Sequence, residues 1–152
     1  MSGSASLPDL LQRSAETRGE RVRYRFANGL TIEAEVFHKS DRLRILPLGS
    51  PQGSLMNHLL AFPETAAGKR VFEPFAGSGA LGFMALMAGA AHVDLLDINP
   101  RASAFQRENA ALNRFSPERF TSITADIAGF TPRDKYDLLL ANPPFVPTPE
   151  GI

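Results

Sequence analysis

The sequence predicts an α/β protein built on a doubly wound, mostly parallel sheet, preceded by a small N-terminal helix and a β-hairpin. Three observations predict it. From residue 70 onward short apolar runs alternate with helical segments, a glycine-rich turn joins the first run to the first helix, and the last run, LLLA at 138–141, has no polar interruption. Strands alternating with helices imply right-handed crossovers, and such sheets place ligand sites at the carboxyl ends of their strands.

Taken in order, residues 7–17 read as a short helix. RVRYRFANGLTIEAEVF, 21–37, alternates apolar and polar residues around Asn28-Gly29. That pair supplies the positive φ values a tight two-residue turn needs, so the segment reads as a hairpin. Pro and Gly mark 46–53 as a loop, and 54–62 follows as a short helix with Ser54 as its cap and Leu55, Leu59 and Phe62 on one side. The chain divides near Gly68 into an N-terminal extension, 1–67, and a patterned core, 68–152.

In the core, 71–75 is an apolar strand broken by Glu73, 80–90 is a small-residue helix apolar nearly all round, and 92–97 is a second strand. Asn99 as cap and Pro100 at the first helical position open a helix running to about Asn113. Residues 120–125 form a third strand and 136–141 a fourth, whose continuous leucines suit a strand buried on both faces.

Composition narrows the function classes. The 152 residues are 43% hydrophobic and 21% charged, enough for one globular unit with a core of its own. No apolar run approaches the roughly 20 residues of a membrane helix, and the first residues lack the basic and apolar regions of a signal peptide. A cytoplasmic address away from the membrane is therefore expected. The absence of Cys excludes disulfides, thiol redox chemistry and Cys-ligated metal. His38, His58 and His92 have no metal-ligand spacing, so no metal is expected. Sixteen basic residues balance sixteen acidic ones, which gives no bulk pull toward nucleic acid. Local positive charge does gather at Arg18, Arg21, Arg23, Arg25, Lys39, Arg42 and Arg44, a pattern that also fits a solvated hairpin face.

FEPFAGSGALG sets Gly77, Gly79 and Gly82 in a GxGxxG spacing between strand and helix, with Phe75 and Ser78 in the same turn. Glycines there permit a tight turn and close approach of a ligand to backbone. The spacing alone fits a dinucleotide, S-adenosylmethionine or a structural turn. Asp97, followed by Ile98, ends the second strand, where a carboxylate can accept from both ribose hydroxyls of an adenosine or can hold the following turn. Glu73 suits either a cationic ligand group, such as a methionine ammonium, or a local Arg or Lys. Asp126 ends the third strand and can accept from the amine of adenine, with Ile127 flanking the ring, or serve as a turn aspartate. Together the three acidic strand ends surround a ligand carrying an amine, a ribose and an adenine.

EPFAGSGALG, LLDINP, TADI and LLLANPPF, within residues 70–145, resemble the successive motifs of class I S-adenosylmethionine-dependent methyltransferases, whose fold is Rossmann-like. Asn-Pro-Pro-Phe resembles the catalytic loop of the amino-methylating branch, which includes adenine-N6 DNA, ribosomal RNA guanine-N2 and release-factor glutamine methyltransferases. The resemblance implies S-adenosyl-L-methionine as cofactor, held by Glu73, Phe75, Gly77, Ser78, Gly79, Asp97, Ile98, Asp126, Ile127 and Asn142. It implies Asn142, Pro143, Pro144 and Phe145 as the catalytic loop, and a macromolecular acceptor, either protein glutamine or a nucleic-acid base.

The residue types suit that chemistry. A conjugated nitrogen is a poor nucleophile, so a site must accept its N–H bonds, and the Asn142 side-chain carbonyl and Pro143 backbone carbonyl could do so. Two prolines stiffen the loop, and Phe145 offers a stacking face. A plain turn after a strand is the structural alternative for these residues. Two other classes stay open: a non-catalytic module binding S-adenosylmethionine or a partner, and a dinucleotide-dependent oxidoreductase, which leaves Asn-Pro-Pro-Phe without a task.

Members of the resembled family continue for three more strands and two helices, whereas this sequence ends at Ile152. The expectation is a piece of a longer protein, or an apolar strand edge covered by a partner or a second copy. The hairpin resembles N-terminal extensions placed beside a substrate cleft, or it acts as a stabilising cover.

Overall fold

The computed structural model describes residues 12–36, 45–46 and 48–143. β1 (Gln12–Arg18), β2 (Arg21–Phe26) and β3 (Thr31–Glu35) form an antiparallel sheet in the order β1-β2-β3. Alternation along β2 buries Val22, Tyr24 and Phe26 and exposes Arg21 and Arg25, the period of two that a one-sided sheet requires. The helix expected at 7–17 is not present over its described part. Residues 12–17 belong to β1, and 7–11 lie outside the described residues. Gly19, with φ +60°, turns the chain back so that Ala15 to Arg18 pair with Tyr24 to Arg21. That ladder overrides the modest helix preference of Gln, Ala, Glu and Arg.

The hairpin joining β2 to β3 is confirmed, but its turn differs from the expected two-residue form. Phe26 N–H donates to Leu30 O and Gly29 N–H to Phe26 O, at 2.9 and 3.0 Å. Gly29 has φ +93° and Asn28 is not in the positive region. This is a three-residue loop ending in a left-handed glycine. Asn28 instead accepts from Leu30 N–H through Oδ1 and reaches the Met84 sulfur through Nδ2.

α1 (Ser50–Ala61) begins four residues earlier than expected, so Ser54 lies inside the helix instead of capping it. Pro51 explains the difference. Its fixed φ suits the first helical turn, where its missing N–H has no partner to lose. Met56 and Leu59 are the fully buried residues of the helix, while Phe62 is half exposed and packs on His58 with ring centroids 5.1 Å apart.

The second sheet holds β4 (Arg70–Pro74), β5 (His92–Asp97), β6 (Phe120–Thr124) and β7 (Leu138–Leu139), all parallel, in the order β6-β5-β4-β7. α2 (Ala80–Met87) and α3 (Ala102–Leu112) are the crossovers. This is the doubly wound, Rossmann-like α/β arrangement the pattern predicts. α2 is apolar all round because it is covered all round, with every residue from Ala80 to Leu86 buried. Phe83 and Leu81 join the same apolar cluster as Tyr24, Phe26, Leu30 and Ile32 of the hairpin and Met56 and Leu59 of α1. Each such large side chain contributes roughly 1.5–3 kcal/mol on burial, so the N-terminal elements act at least as the cover of the core. α2 stops at Met87, short of residue 90, and Gly89 at φ +101° turns the chain. The Arg119 guanidinium donates to Leu86 O and Ala90 O there, bracing the turn that follows the helix.

α3 starts at Ala102, two residues after Pro100, and the lead-in turn is held by Asn99, whose Oδ1 accepts from Arg101 N–H at 2.9 Å. β7 corrects the last strand expectation. Only Leu138 and Leu139 pair with β4, and Leu139 is 60% exposed. The strand is the edge of the described sheet, covered on one side, so Leu140 is buried while its neighbour is not. The segment before β7 is anchored on the sheet face opposite α2. Tyr136 stacks on Phe72 with centroids 4.9 Å apart and donates to Asp94 Oδ2 at 2.5 Å. Burial first, and then the bond to the Asp94 carboxylate, push the Tyr136 phenol well above its ordinary value. His92 completes this cluster through Asp94 Oδ1 and Thr121, each at 3.0 Å.

Candidate active site

Three neighbouring strands end in one row of hydrogen bonds. Ala76 N–H, just past β4, donates to Leu96 O at 2.9 Å, and Gly77 N–H donates to Asp97 Oδ2 at 2.7 Å. Ala125 N–H, just past β6, donates to Asp97 O at 3.1 Å. Asp97 at the end of β5 is thus the hinge point between the glycine loop and the β6 terminus. Its other oxygen, Oδ1, accepts from Asn99 N–H at 2.9 Å. A carboxylate offers about four lone-pair positions, so both oxygens are fixed by backbone while each keeps capacity for a hydroxyl.

The glycine loop runs through sparsely populated backbone. Phe75 has φ +58°, Gly77 +52° and Gly79 +86°. For Phe75, with a side chain, that conformation costs about 1–2 kcal/mol, and the ring is 36% exposed beside the loop. The three glycines have different tasks. A Cβ on Gly77 would meet nothing within 4 Å, whereas one on Gly79 would lie 2.7 Å from a Phe83 ring carbon. On Gly82 it would lie 2.4 Å from a Leu95 methyl, so the third glycine lets α2 pack against β5.

Glu73 is 1% exposed, and its Oε1 accepts from Gly82 N–H at 2.8 Å. It thereby satisfies one of the orphan amides at the start of α2. Burial pushes this carboxyl well above the usual carboxylate range; the Gly82 N–H pulls it back, and the nearby Asp97 charge raises it again. No Arg or Lys pairs with it among the described residues.

The remaining residues fall at the same edge with less enclosure. Ser78 is buried, while Ile98 is 61% exposed next to Asp97. Asp126 is exposed and accepts from Ala128 N–H at 2.9 Å, the bond of a turn aspartate, and Ile127 is partly buried behind it. Leu140 N–H donates to Phe72 O. The β4–β7 register ends at Leu139 beside Phe72, and Asn142 follows three residues past the carboxyl end of β7. Asn142 is partly buried and Pro143 exposed, while Pro144 and Phe145 lie outside the described residues. A cavity of about 530 Å³ lies between α3 and β6 and is lined by Arg107, Phe115 and Ser122 among others. Neither it nor a small one of about 90 Å³ beside Met84 adjoins these strand ends.

Residues not foreseen from sequence hold the loop from behind. Gln106 Nε2 donates to Gly77 O and Asn109 Nδ2 to Ser78 O, each at 3.0 Å. Their sequence signal is a polar pair at i, i+3 on the otherwise apolar inner face of α3, alongside Ala102 and Phe105. Among the described residues no cluster of three or more His, Asp or Glu could hold a metal, and no helix is long and apolar enough to cross a membrane.

A parallel sheet with a glycine loop and acidic strand ends defines a Rossmann-like nucleoside-binding class of protein. The sequence profile of the Methyltransferase small domain family matches residues 51–150, so the chain belongs to that family. A ribosomal protein L11 methyltransferase of Pseudomonas paraeruginosa is 39% identical over 77 residues, 50% of this chain and 25% of that protein. A Methanocaldococcus jannaschii protein, provisionally named a protein N5-glutamine methyltransferase, is 35% identical over 83 residues, 54% of this chain and 40% of its own. Among solved structures, the 16S rRNA N2 G1207 methyltransferase of T. thermophilus, in complex with AdoMet and guanosine, superposes with a TM-score of 0.64 at 20% identity. That match covers 90% of this chain and 34% of the other. The chain spans about a quarter to two-fifths of the length of these curated relatives.

Proposed function

We propose that the chain carries the S-adenosylmethionine-binding core of an N-methyltransferase acting on a planar amino or amide nitrogen of a protein or nucleic-acid substrate. One observation carries this reading. The 2.7 Å bond from Gly77 N–H to Asp97 Oδ2 ties the glycine loop to a carboxylate on the next strand, with open space where a Gly77 side chain would project.

The residues fit the cofactor. Asp97 retains acceptor capacity for the two ribose hydroxyls, and Ile98 and Ile127 offer apolar flanks for adenine, with Asp126 as acceptor for its amine. Glu73 lies buried behind the loop, where an approaching methionine ammonium would favour its charged form against the burial that holds it protonated, and Phe75, Gly77, Ser78 and Gly79 wall that end. When bound, the cofactor supplies an electrophilic methyl on a sulfonium, the acceptor nitrogen losing a proton as it gains the methyl. Asn142 and Pro143 then accept the N–H bonds of the acceptor, with Pro144 stiffening the loop and Phe145 stacking on the flat group. Protein glutamine and a nucleic-acid base share that flat nitrogen, and both belong to the reading. A cytoplasmic address goes with such substrates. The exposed Leu139 edge of β7 supports self-association or pairing with further chain.

Calorimetry with S-adenosylhomocysteine tests the binding half. Asp97→Ala is expected to weaken it by about 1–3 kcal/mol, the cost of leaving polar partners unmatched. Asn142→Ala is expected to bind the cofactor normally and lose methyl transfer to protein and RNA fractions. Undiminished binding in the first variant, or undiminished transfer in the second, would remove the assignment concerned.

A further inference from the structure

The rear of the glycine loop and the free edge of the N-terminal hairpin are held by one helix face. Asn109 is fully buried. Its Oδ1 accepts from Glu33 N–H at 2.8 Å, and its Nδ2 donates to Glu33 O and to Ser78 O, each at 3.0 Å. One turn further along α3, Asn113 Oδ1 accepts from Thr31 N–H at 2.7 Å, and its Nδ2 donates to Thr31 O and Asn109 O. Two residues of strand advance about 6.8 Å and four of helix about 6 Å, so the two asparagines meet Thr31 and Glu33 in step. They act as the missing neighbour strand of β3.

A side-chain amide has two N–H donors and a carbonyl acceptor, and Asn109 commits all three kinds of contact here. Among the described residues it is the side chain bonded to both the hairpin and the loop. Gln106 fixes the adjacent Gly77 carbonyl at 3.0 Å. Holding two successive carbonyls toward α3 matters because Gly77 and Gly79 both sit at positive φ, where a glycine loop has many competing conformations.

We infer that Asn109 and Asn113 are positioning residues that couple docking of the N-terminal hairpin to the conformation of the cofactor loop. The hairpin is then a working part of the site, beyond its role as cover. The inference rests on the proposal that the loop binds S-adenosylmethionine, and the coupling must be reciprocal.

Asn113→Ala is the decisive variant, because Asn113 touches the hairpin and Asn109 but no residue of the candidate cofactor site. Calorimetry on the full chain is expected to show S-adenosylhomocysteine binding weakened about fivefold, the scale of one lost hydrogen bond. In the unaltered protein, hydrogen exchange of the Thr31 and Glu33 amides is expected to slow on adding S-adenosylhomocysteine, a measurement that does not depend on the variant folding. A merely structural asparagine would lower thermal stability and move neither readout, and that result overturns the inference. Should the unaltered protein not bind S-adenosylhomocysteine, the cofactor assignment falls. The coupling is then decided by the Gly77 and Gly79 amides of Asn113→Ala, which exchange faster if it exists and at the original rate if it does not.

Discussion

Replacing Gly79 by alanine separates the two reasons for a glycine in this loop. At φ +86° a side chain is strained by about 1–2 kcal/mol. The new Cβ would also lie 2.7 and 3.1 Å from two Phe83 ring carbons and 3.2 Å from a Leu95 methyl. Phe83 and Leu95 are fully buried and cannot swing aside, so overpacking adds about 1–3 kcal/mol. The sum is about 2–5 kcal/mol, or a fall in melting temperature of roughly 4–20 °C for a chain of this size. Gly77→Ala is the control. It sits at φ +52° with nothing within 4 Å of its Cβ, leaving only the strain of about 1–2 kcal/mol. Thermal and urea unfolding of both variants should therefore rank Gly79→Ala as clearly the less stable. Calorimetry with S-adenosylhomocysteine should rank Gly77→Ala as the poorer binder for its stability, since its methyl enters the space assigned to ligand. Equal unfolding losses would show that close packing on Phe83 plays no part and that the division of labour is wrong.

Two further predictions concern charge and backbone. Burial raises the Glu73 carboxyl well above 4.5, so the folded state holds a proton that the unfolded chain releases, and stability falls as pH rises from about 4.5 through the folded value. Glu73→Gln keeps the acceptor for Gly82 N–H and removes that slope. Its melting temperature should gain on the unaltered protein as pH rises through this window and then run parallel; a constant gap at all pH values would refute the buried-proton account. Arg114 sits at φ +59° just after α3, so Arg114→Gly should stabilise by about 0.5–1 kcal/mol in urea unfolding by relieving that conformation.

The second half of the chain was legible because local and tertiary signals agree there. Val71, Val93 and Leu95 are buried strand residues, Gly79 and Gly82 sit where close contacts exclude a side chain, and Asp97 ends its strand. Where the two levels of signal diverge, the sequence misleads. β1 has no apolar periodicity of its own, since Ala15 to Arg18 are all exposed, and only the partner strand makes it a strand. α1 begins at a proline and a glycine, which resemble loop composition until the proline is placed in the first turn. Glu73 shows why a candidate site residue is harder to read than a strand. A carboxylate in an apolar run signals that something must receive it, but the sequence does not say whether that is a ligand or the Gly82 amide. Gln106 and Asn109 show in the sequence only as a polar pair on an apolar helix face, with no sign of what they bind. Their partners are backbone atoms of distant segments, which carry no residue-specific mark.

Strand order adds a direction to the proposed site. From β4 the chain moves one way through β5 to β6 and then returns to the far side of β4 to form β7. The two connections diverge above the gap between β4 and β7, and open α/β sheets bind ligands at such a switch point. Phe75 follows β4 and Asn142 follows β7, the two strands that border this gap, while Asp97 ends β5 and Asp126 follows β6. A cofactor laid across these strand ends with its ribose on Asp97 and adenine toward Asp126 would extend its other end back over Gly77 to the gap. In the proposed site this would bring the methyl-bearing end toward the side of the sheet that carries Asn142. The opposite orientation would leave the acceptor loop facing adenine and give Asn142 no chemistry to assist.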